Sequence, residues 1–253
     1  MTPNMAYSIL LGFSFILAGA VFVTLFFVSA PYGRHSRRGW GALIPNRLGW
    51  LIMEAPSALG FALLFWTGSA AKNEVMLIFL CLWEAHYIHR AFIYPFSITD
   101  GTKQMPALVM FMAFGFNIGN AFVNGWYIFS LSGGYPAEWL KDPRFLLGIS
   151  IFLAGYGINR WADFKLRRLR KPGETGYSIP YGGLFRWISC PNYFGEIIEW
   201  VGWAIATWSL PGLAFAVWTF ANLAPRARAH HAWYRQRFPA YPEERKALLP
   251  GLW

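Results

Sequence analysis

The stretch MAYSILLGFSFILAGAVFVTLFFVS, residues 5–29, carries no charged side chain. An α-helix rises about 1.5 Å per residue, so about 20 apolar residues cross a hydrocarbon core about 30 Å thick. This stretch is long enough to do so. It has no basic n-region and no small-residue cleavage site, and it is too long for a signal-peptide core, so it reads as a retained span. Similar runs follow at 48–68, interrupted by Glu54 and Pro56, and at 75–94, which Pro95 should end. The run at 106–131 is uncharged but holds Asn117, Asn120 and Asn124. A fifth covers 145–164 and a sixth 194–210, headed by Glu196 and Glu199. A tight turn at Pro211-Gly212 then leads into a seventh at 213–223. The expected fold class is therefore all-α: a polytopic membrane protein with seven transmembrane helices, forming a single domain over residues 1–253.

Composition agrees. Of 253 residues, 56% are apolar and 13% charged, against about 25% charged in soluble domains. That excludes disorder and argues against an ordinary soluble globule. The two cysteines, Cys81 and Cys190, offer neither a disulfide framework nor a metal pattern and are expected to be free thiols.

The formal net charge is +10, and the positions of the charges give it meaning. Arg34, Arg37, Arg38 and Arg47 lie in the first loop; Lys165, Arg167, Arg168, Arg170, Lys171 and Arg186 lie between spans five and six. The tail holds Arg226, Arg228, Arg235, Arg237, Arg245 and Lys246. With seven spans these segments share one side, which the positive-inside rule makes cytoplasmic. The N-terminus is then outside and the C-terminus inside. Basic loops that set topology need no nucleic acid, and none is expected as a partner.

Ionisable residues inside spans are costly and carry functional hypotheses by default. Glu54 lies near the middle of span two, while Glu84, His86, Tyr87, His89 and Arg90 crowd span three. Helical spacing puts residues 83, 86, 87, 90 and 94 on one face. The plain reading is that Glu84 pairs with another polar group and that the histidines are satisfied core residues. For Glu54 and Tyr87 function is favoured. A carboxyl so deep is expected to be protonated, and beside a phenol it makes a donor pair suited to a ligand carbonyl oxygen. His86 and His89 lack an evident third ligand, so no metal is expected.

A second cluster joins Asn159, Asp163, Arg167 and Arg170 on one helix face to Asn192, Glu196 and Glu199 at the next helix start. Arginines alone would be a topology-setting collar. Arginines with amides and carboxylates suit a ligand bearing phosphates, riboses and a carboxamide. Gly155-Tyr156-Gly157 begins like a dinucleotide fingerprint, but it follows an apolar helix and not a strand, so a Rossmann site is not supported. Its glycines are read as permitting close helix packing.

At these residues the chain resembles the steroid 5α-reductase family. The likeness is carried by Leu169-Arg-Lys-Pro-Gly-Glu174, Tyr177, Ile179-Pro180 and Gly182-Gly-Leu-Phe185, then Asn192-Tyr-Phe-Gly-Glu196-Ile-Ile-Glu-Trp200 and Arg245-Lys-Ala-Leu-Leu-Pro250. Glu54-Ala-Pro-Ser57 and His86-Tyr-Ile-His-Arg90 also match. The resemblance implies NADPH as cofactor, held by residues 144–253, with residues 1–131 mainly binding substrate. It implies cofactor contacts from Asn159, Asp163, Arg170, Tyr177, Asn192, Glu196, Arg226, His230 and Tyr234. Tyr32 lies in a further matching segment, and Arg167 joins the set from its place on the helix face. It implies that Glu54 and Tyr87 hold the steroid 3-keto group. Two positions depart from the family's better-known members, which carry a basic residue at Ser178 and an arginine at Met112.

The expected activity is NADPH-dependent reduction of the C4–C5 double bond of a 3-oxo-Δ4-steroid, or of a related lipid enone entering from the bilayer. No obligate protein partner is expected. The rivals are an S-adenosylmethionine-dependent isoprenylcysteine-type methyltransferase and a non-enzymatic transporter or lipid-binding scaffold. No organelle address is readable, so a bacterial inner membrane is preferred to the endoplasmic reticulum.

Overall fold

The computed structural model describes residues 3–35, 37–98, 103–169 and 176–253. Among them are seven α-helices: α1 (Pro3–Phe27), α2 (Asn46–Thr67), α3 (Glu74–Ile88), α4 (Ala107–Trp126), α5 (Pro143–Arg168), α6 (Pro191–Thr207) and α7 (Leu210–Arg237). Five segments, covering α1 to α5 with their extensions, are long and apolar enough to cross a membrane. Their surfaces suit lipid: Ile16, Phe27, Leu59, Leu63, Trp66 and Phe111 are all exposed. So many large apolar side chains left exposed are unusual for a soluble monomer. α6 has only 17 residues, and the second half of α7 is basic.

The chain forms two compact units. One contains residues 1–11 and 30–146, the other 12–29 and 147–253.

In the first unit α2 packs on α3 and α4. Phe61 stacks on Trp83 with ring centroids 4.3 Å apart and meets Phe129 edge-on. A Cβ at Gly125 would sit 2.9 Å from Leu64 and 3.1 Å from Phe61, so glycine lets α4 press against α2 there. Span three does not stop at Pro95 as a simple helix. α3 passes into a π-turn at His89–Ile93 and then a 3₁₀ turn at Tyr94–Ser97 that contains Pro95. α4 likewise ends in a π-turn, Tyr127–Leu131.

The all-α expectation needs one correction. Leu43–Pro45 (β1) and Gln104–Pro106 (β2) pair as a short antiparallel ladder. Each strand ends in the proline that precedes its helix. A residue before proline is driven towards extended backbone, and proline suits a helix entrance, so Pro45 and Pro106 make strand-to-helix junctions.

In the second unit α5 and α6 approach to main-chain contact. A Cβ at Gly155 would lie 2.3 Å from the Glu199 nitrogen, and one at Gly195 would lie 2.5 Å from the Asn159 nitrogen. Gly148 and Gly202 meet Ala206 and Phe152 in the same way. Gly157 has nothing within 4 Å, so of the two glycines in the false fingerprint only Gly155 serves packing. α6 joins α7 through Trp200, whose ring lies 4.1 Å from that of Phe215.

The turn expected at Pro211-Gly212 falls earlier. Trp208 takes left-handed backbone (φ 43°), and Ser209 caps α7 by accepting from the Gly212 nitrogen at 3.1 Å. Pro211 sits in the first turn of α7, where the missing N–H costs nothing. The C-terminal segment returns to the entrance of α6: Ser189 N donates to Lys246 O, and Lys246 N to Trp187 O, both at 2.8 Å. Cys190 is buried with Ala224, Ala227 and Leu248. Neither cysteine forms a disulfide among the described residues.

Candidate active site

The first cluster lies in the first unit. Of the face expected on span three, Trp83, His86 and Tyr87 lie on α3 and are buried, while Arg90 and Tyr94 fall beyond its end in the π-turn and the 3₁₀ turn. The Arg90 guanidinium lies over the rings of Trp50, at 4.6 Å, and Tyr94, at 5.0 Å. Glu84 departs from expectation, because its buried Oε1 has no hydrogen-bond partner among the described residues. Glu54 and Tyr87 are each addressed from α4. Asn117 Nδ2 donates to Glu54 Oε2 at 3.1 Å, and Asn120 Nδ2 makes a long contact of 3.5 Å with the Tyr87 hydroxyl. Asn124 Nδ2 donates to Asn120 Oδ1 at 3.0 Å. The three asparagines thus form a polar file through an apolar bundle. Sequence reading noted them without giving them a role; their spacing of three and four residues was the available signal. Met112, one of the departures from the family pattern, is exposed on α4. Tyr32 is half-buried before a short 3₁₀ turn in this same unit.

The described residues of the second cluster lie in the second unit. Asn159 and Asp163 are buried on α5. Asn159 Nδ2 donates to the Asn192 carbonyl at 3.0 Å and to Glu196 Oε2 at 3.2 Å. Asn192 Nδ2 donates to Asp163 Oδ1 at 3.2 Å. Four of the expected residues therefore make one network across the α5–α6 contact. Tyr193 bonds His230 Nε2 at 3.0 Å, and Arg226 lies 5.9 Å over the Tyr193 ring. Tyr177 packs edge-on against Trp233. Tyr234 is buried in an aromatic group, stacked on Tyr241 at 5.2 Å. Arg167 is half-buried near the end of α5. Arg170 lies outside the described residues.

Beside these groups, Ser189 Oγ contacts His231 Nδ1 and the Tyr241 hydroxyl, both at 2.7 Å. Arg245 is 2% exposed and lies 4.8 Å over the Tyr241 ring. Burial first, then the charges of Arg235, Arg245 and Lys246, hold the His231 imidazole below its usual pKa of 6.5. The unfolded chain therefore takes up the proton first. The stability from a neutral His231 is complete above about pH 6.5 and is lost as pH falls towards the folded-state value. We expect the unfolding temperature in detergent to fall between pH 7.5 and 5.5, and to fall less in His231→Asn. Equal falls in both proteins would remove His231 from this account.

With both clusters described, comparison with known proteins decides their kinship. The sequence model described as 3-oxo-5-alpha-steroid 4-dehydrogenase matches residues 103–253. A steroid 5-alpha-reductase DET2 from Gossypium hirsutum is 42% identical over 243 residues, covering 94% of both chains. The 3-oxo-5-alpha-steroid 4-dehydrogenase 1 of Bos taurus is 44% identical over 236 residues, covering 91% of each chain. The human protein of the same name is 42% identical, covering 92% of this chain and 90% of its own. This chain belongs to the steroid 5-alpha-reductase family. It is thereby a member of an oxidoreductase family, and its apolar helices fit a multi-pass membrane protein. The family model begins at residue 103 and so includes α4 and the second cluster. The relatives extend the kinship over nine-tenths of the chain, which takes in the segments of Glu54 and Tyr87.

Proposed function

We propose that this member of the family reduces the C4–C5 double bond of a 3-oxo-Δ4-steroid, or of a related lipid enone, with NADPH. The observation that carries this reading is the first cluster: a carboxyl hydrogen-bonded to Asn117 and a phenol in long contact with Asn120, both asparagines on α4 inside an apolar bundle. The relatives' names supply the substrate class. Tyr87 and protonated Glu54 donate hydrogen bonds to the C3 carbonyl oxygen. Electron density is drawn from the double bond, and C5 becomes electrophilic. The same donors hold the enolate oxygen until C4 takes a proton. Donors of this kind act because they are fixed before charge develops and are shielded from water.

The second cluster fits NADPH by the chemistry of its groups. Asn159, Asn192, Asp163 and Glu196 suit a carboxamide and ribose hydroxyls. Arg226, His230 and Tyr177, joined in this proposal by Arg167, Arg170, Tyr32 and Tyr234, suit phosphates and rings. NADPH, when bound, supplies the hydride that C5 accepts.

The arrangement we propose is one functional membrane domain over 1–253. It has seven spans, N-terminus outside and C-terminus cytoplasmic, with 1–131 serving mainly the substrate and 144–253 the cofactor. The steroid is taken from the bilayer, and no nucleic acid or obligate protein partner takes part. A bacterial inner membrane is preferred to the endoplasmic reticulum, a choice that fractionation of the source cells tests directly. A reporter fused after Trp253 should read cytoplasmic; an external reading inverts the topology.

The cofactor is tested by purifying the protein from membranes without added nucleotide and identifying what remains bound by mass spectrometry. NADPH or NADP⁺ is the expected result. S-adenosylmethionine in its place would end the reductase reading.

A further inference from the structure

Asn117 has no part in the activity as proposed so far, yet its amide is one of the most constrained side chains in the first unit. It is 4% exposed. Its Nδ2 donates to the Met53 carbonyl at 2.6 Å and to Glu54 Oε2 at 3.1 Å. Its Oδ1 accepts from Ser57 Oγ at 2.8 Å. Ser57 is itself fully buried, and its carbonyl accepts from Trp83 Nε1 at 3.0 Å. A flipped amide would set Oδ1 against the Met53 carbonyl, acceptor against acceptor, so the orientation is fixed by chemistry.

A neutral carboxyl has one hydroxyl oxygen and one carbonyl oxygen, and the carbonyl oxygen is the better acceptor. An N–H aimed at Oε2 therefore makes Oε2 the carbonyl side and leaves the acid proton on Oε1. We infer that Asn117 is a positioning residue for Glu54: it fixes the carboxyl's orientation and selects Oε1 as the oxygen that donates to the substrate carbonyl. This rests on the reading of Glu54 as a carbonyl donor. Trp83, Ser57 and Asn117 then form a chain of bonds from α3 through α2 to α4 that ends on the acid.

The test is single-turnover NADPH oxidation at saturating steroid in wild type, Asn117→Leu, Glu54→Ala and the double variant. Asn117→Leu should slow the reductive step by about 10- to 100-fold with little change in NADPH binding. Placed on Glu54→Ala it should cost less than about 2-fold, because its partner is already gone. Ser57→Ala removes the hydroxyl's bonds to Asn117 Oδ1 and to the Asn117 carbonyl and leaves the Asn117 side chain present. It should lose a few-fold in the wild-type background and nothing on Glu54→Ala. Equal losses in both backgrounds would reduce Asn117 to packing and overturn the inference, as would wild-type rates in Asn117→Leu and Ser57→Ala. The underlying reading fails separately: a wild-type rate in Glu54→Ala removes the carbonyl grip itself.

Discussion

Tyr87→Phe and Glu54→Ala should each nearly abolish reduction of a 3-oxo-Δ4-steroid while leaving NADPH binding intact. Removing one fixed donor from a developing oxyanion costs about 10²–10³ in rate in other enzymes. Tyr87 is 3% exposed and packs against Trp83, so its phenyl ring keeps its place when the hydroxyl is removed. The loss in Tyr87→Phe then reports the donor and not a collapsed pocket. Glu54→Gln retains both shape and a donor and should keep more activity than Glu54→Ala. The measurement is single-turnover NADPH oxidation with saturating steroid, alongside nucleotide binding. Neither side chain is among the proposed nucleotide residues, so nucleotide affinity should stay within about 2-fold. A near-normal rate in Tyr87→Phe would mean that the phenol only packs. His86 would then be the next candidate donor on that face, since Arg90 is already engaged with Trp50 and Tyr94.

The second large effect is structural. Gly155→Leu or Gly195→Leu should yield no folded protein. The added Cβ alone would meet main-chain atoms at 2.3 Å and 2.5 Å, and backbone cannot step aside as a side-chain tip can. Overpacking of ordinary cores costs about 1–3 kcal/mol, occasionally more. Here two helices would have to separate along their length. Gly157→Ala is the control: it has open space around it, and alanine is the better helix former by about 1 kcal/mol. Expression and monodispersity in detergent check both. Folded Gly155→Leu or Gly195→Leu protein would show that α5 and α6 are not in main-chain contact.

Much of this architecture was legible in the sequence because lipid imposes a simple rule: about 20 apolar residues, backbone satisfied within the helix. Glu54 and Tyr87 stood out for the same reason, as polar groups placed where they are expensive. The network of Asn159, Asp163, Asn192 and Glu196 was readable from helix faces together with the family motifs. What stayed hidden depends on contacts remote in sequence. The bond from Asn117 to Glu54 joins residues 63 apart, and no local pattern announces it. The β1–β2 ladder unites two three-residue segments that look like loop. The Pro211-Gly212 dipeptide carries a turn signal, but a serine cap two residues before the proline gives the helix an earlier start. Glu84 was expected to find a partner and has none among the described residues for its buried oxygen, which we do not explain.

Main-chain contact between α5 and α6 has a consequence for engineering. The four polar residues of the second cluster hang from a frame whose spacing is set by absent side chains, not by present ones. Apolar positions on α5 such as Leu147 and Leu153 are exposed and can be exchanged for other apolar residues without disturbing that frame. Altering Asn192 or Glu196 leaves the glycine contacts in place but removes a hydrogen-bond partner from Asp163 or Asn159. Libraries aimed at the second cluster should therefore hold Gly148, Gly155, Gly195 and Gly202 constant and vary the polar positions around them.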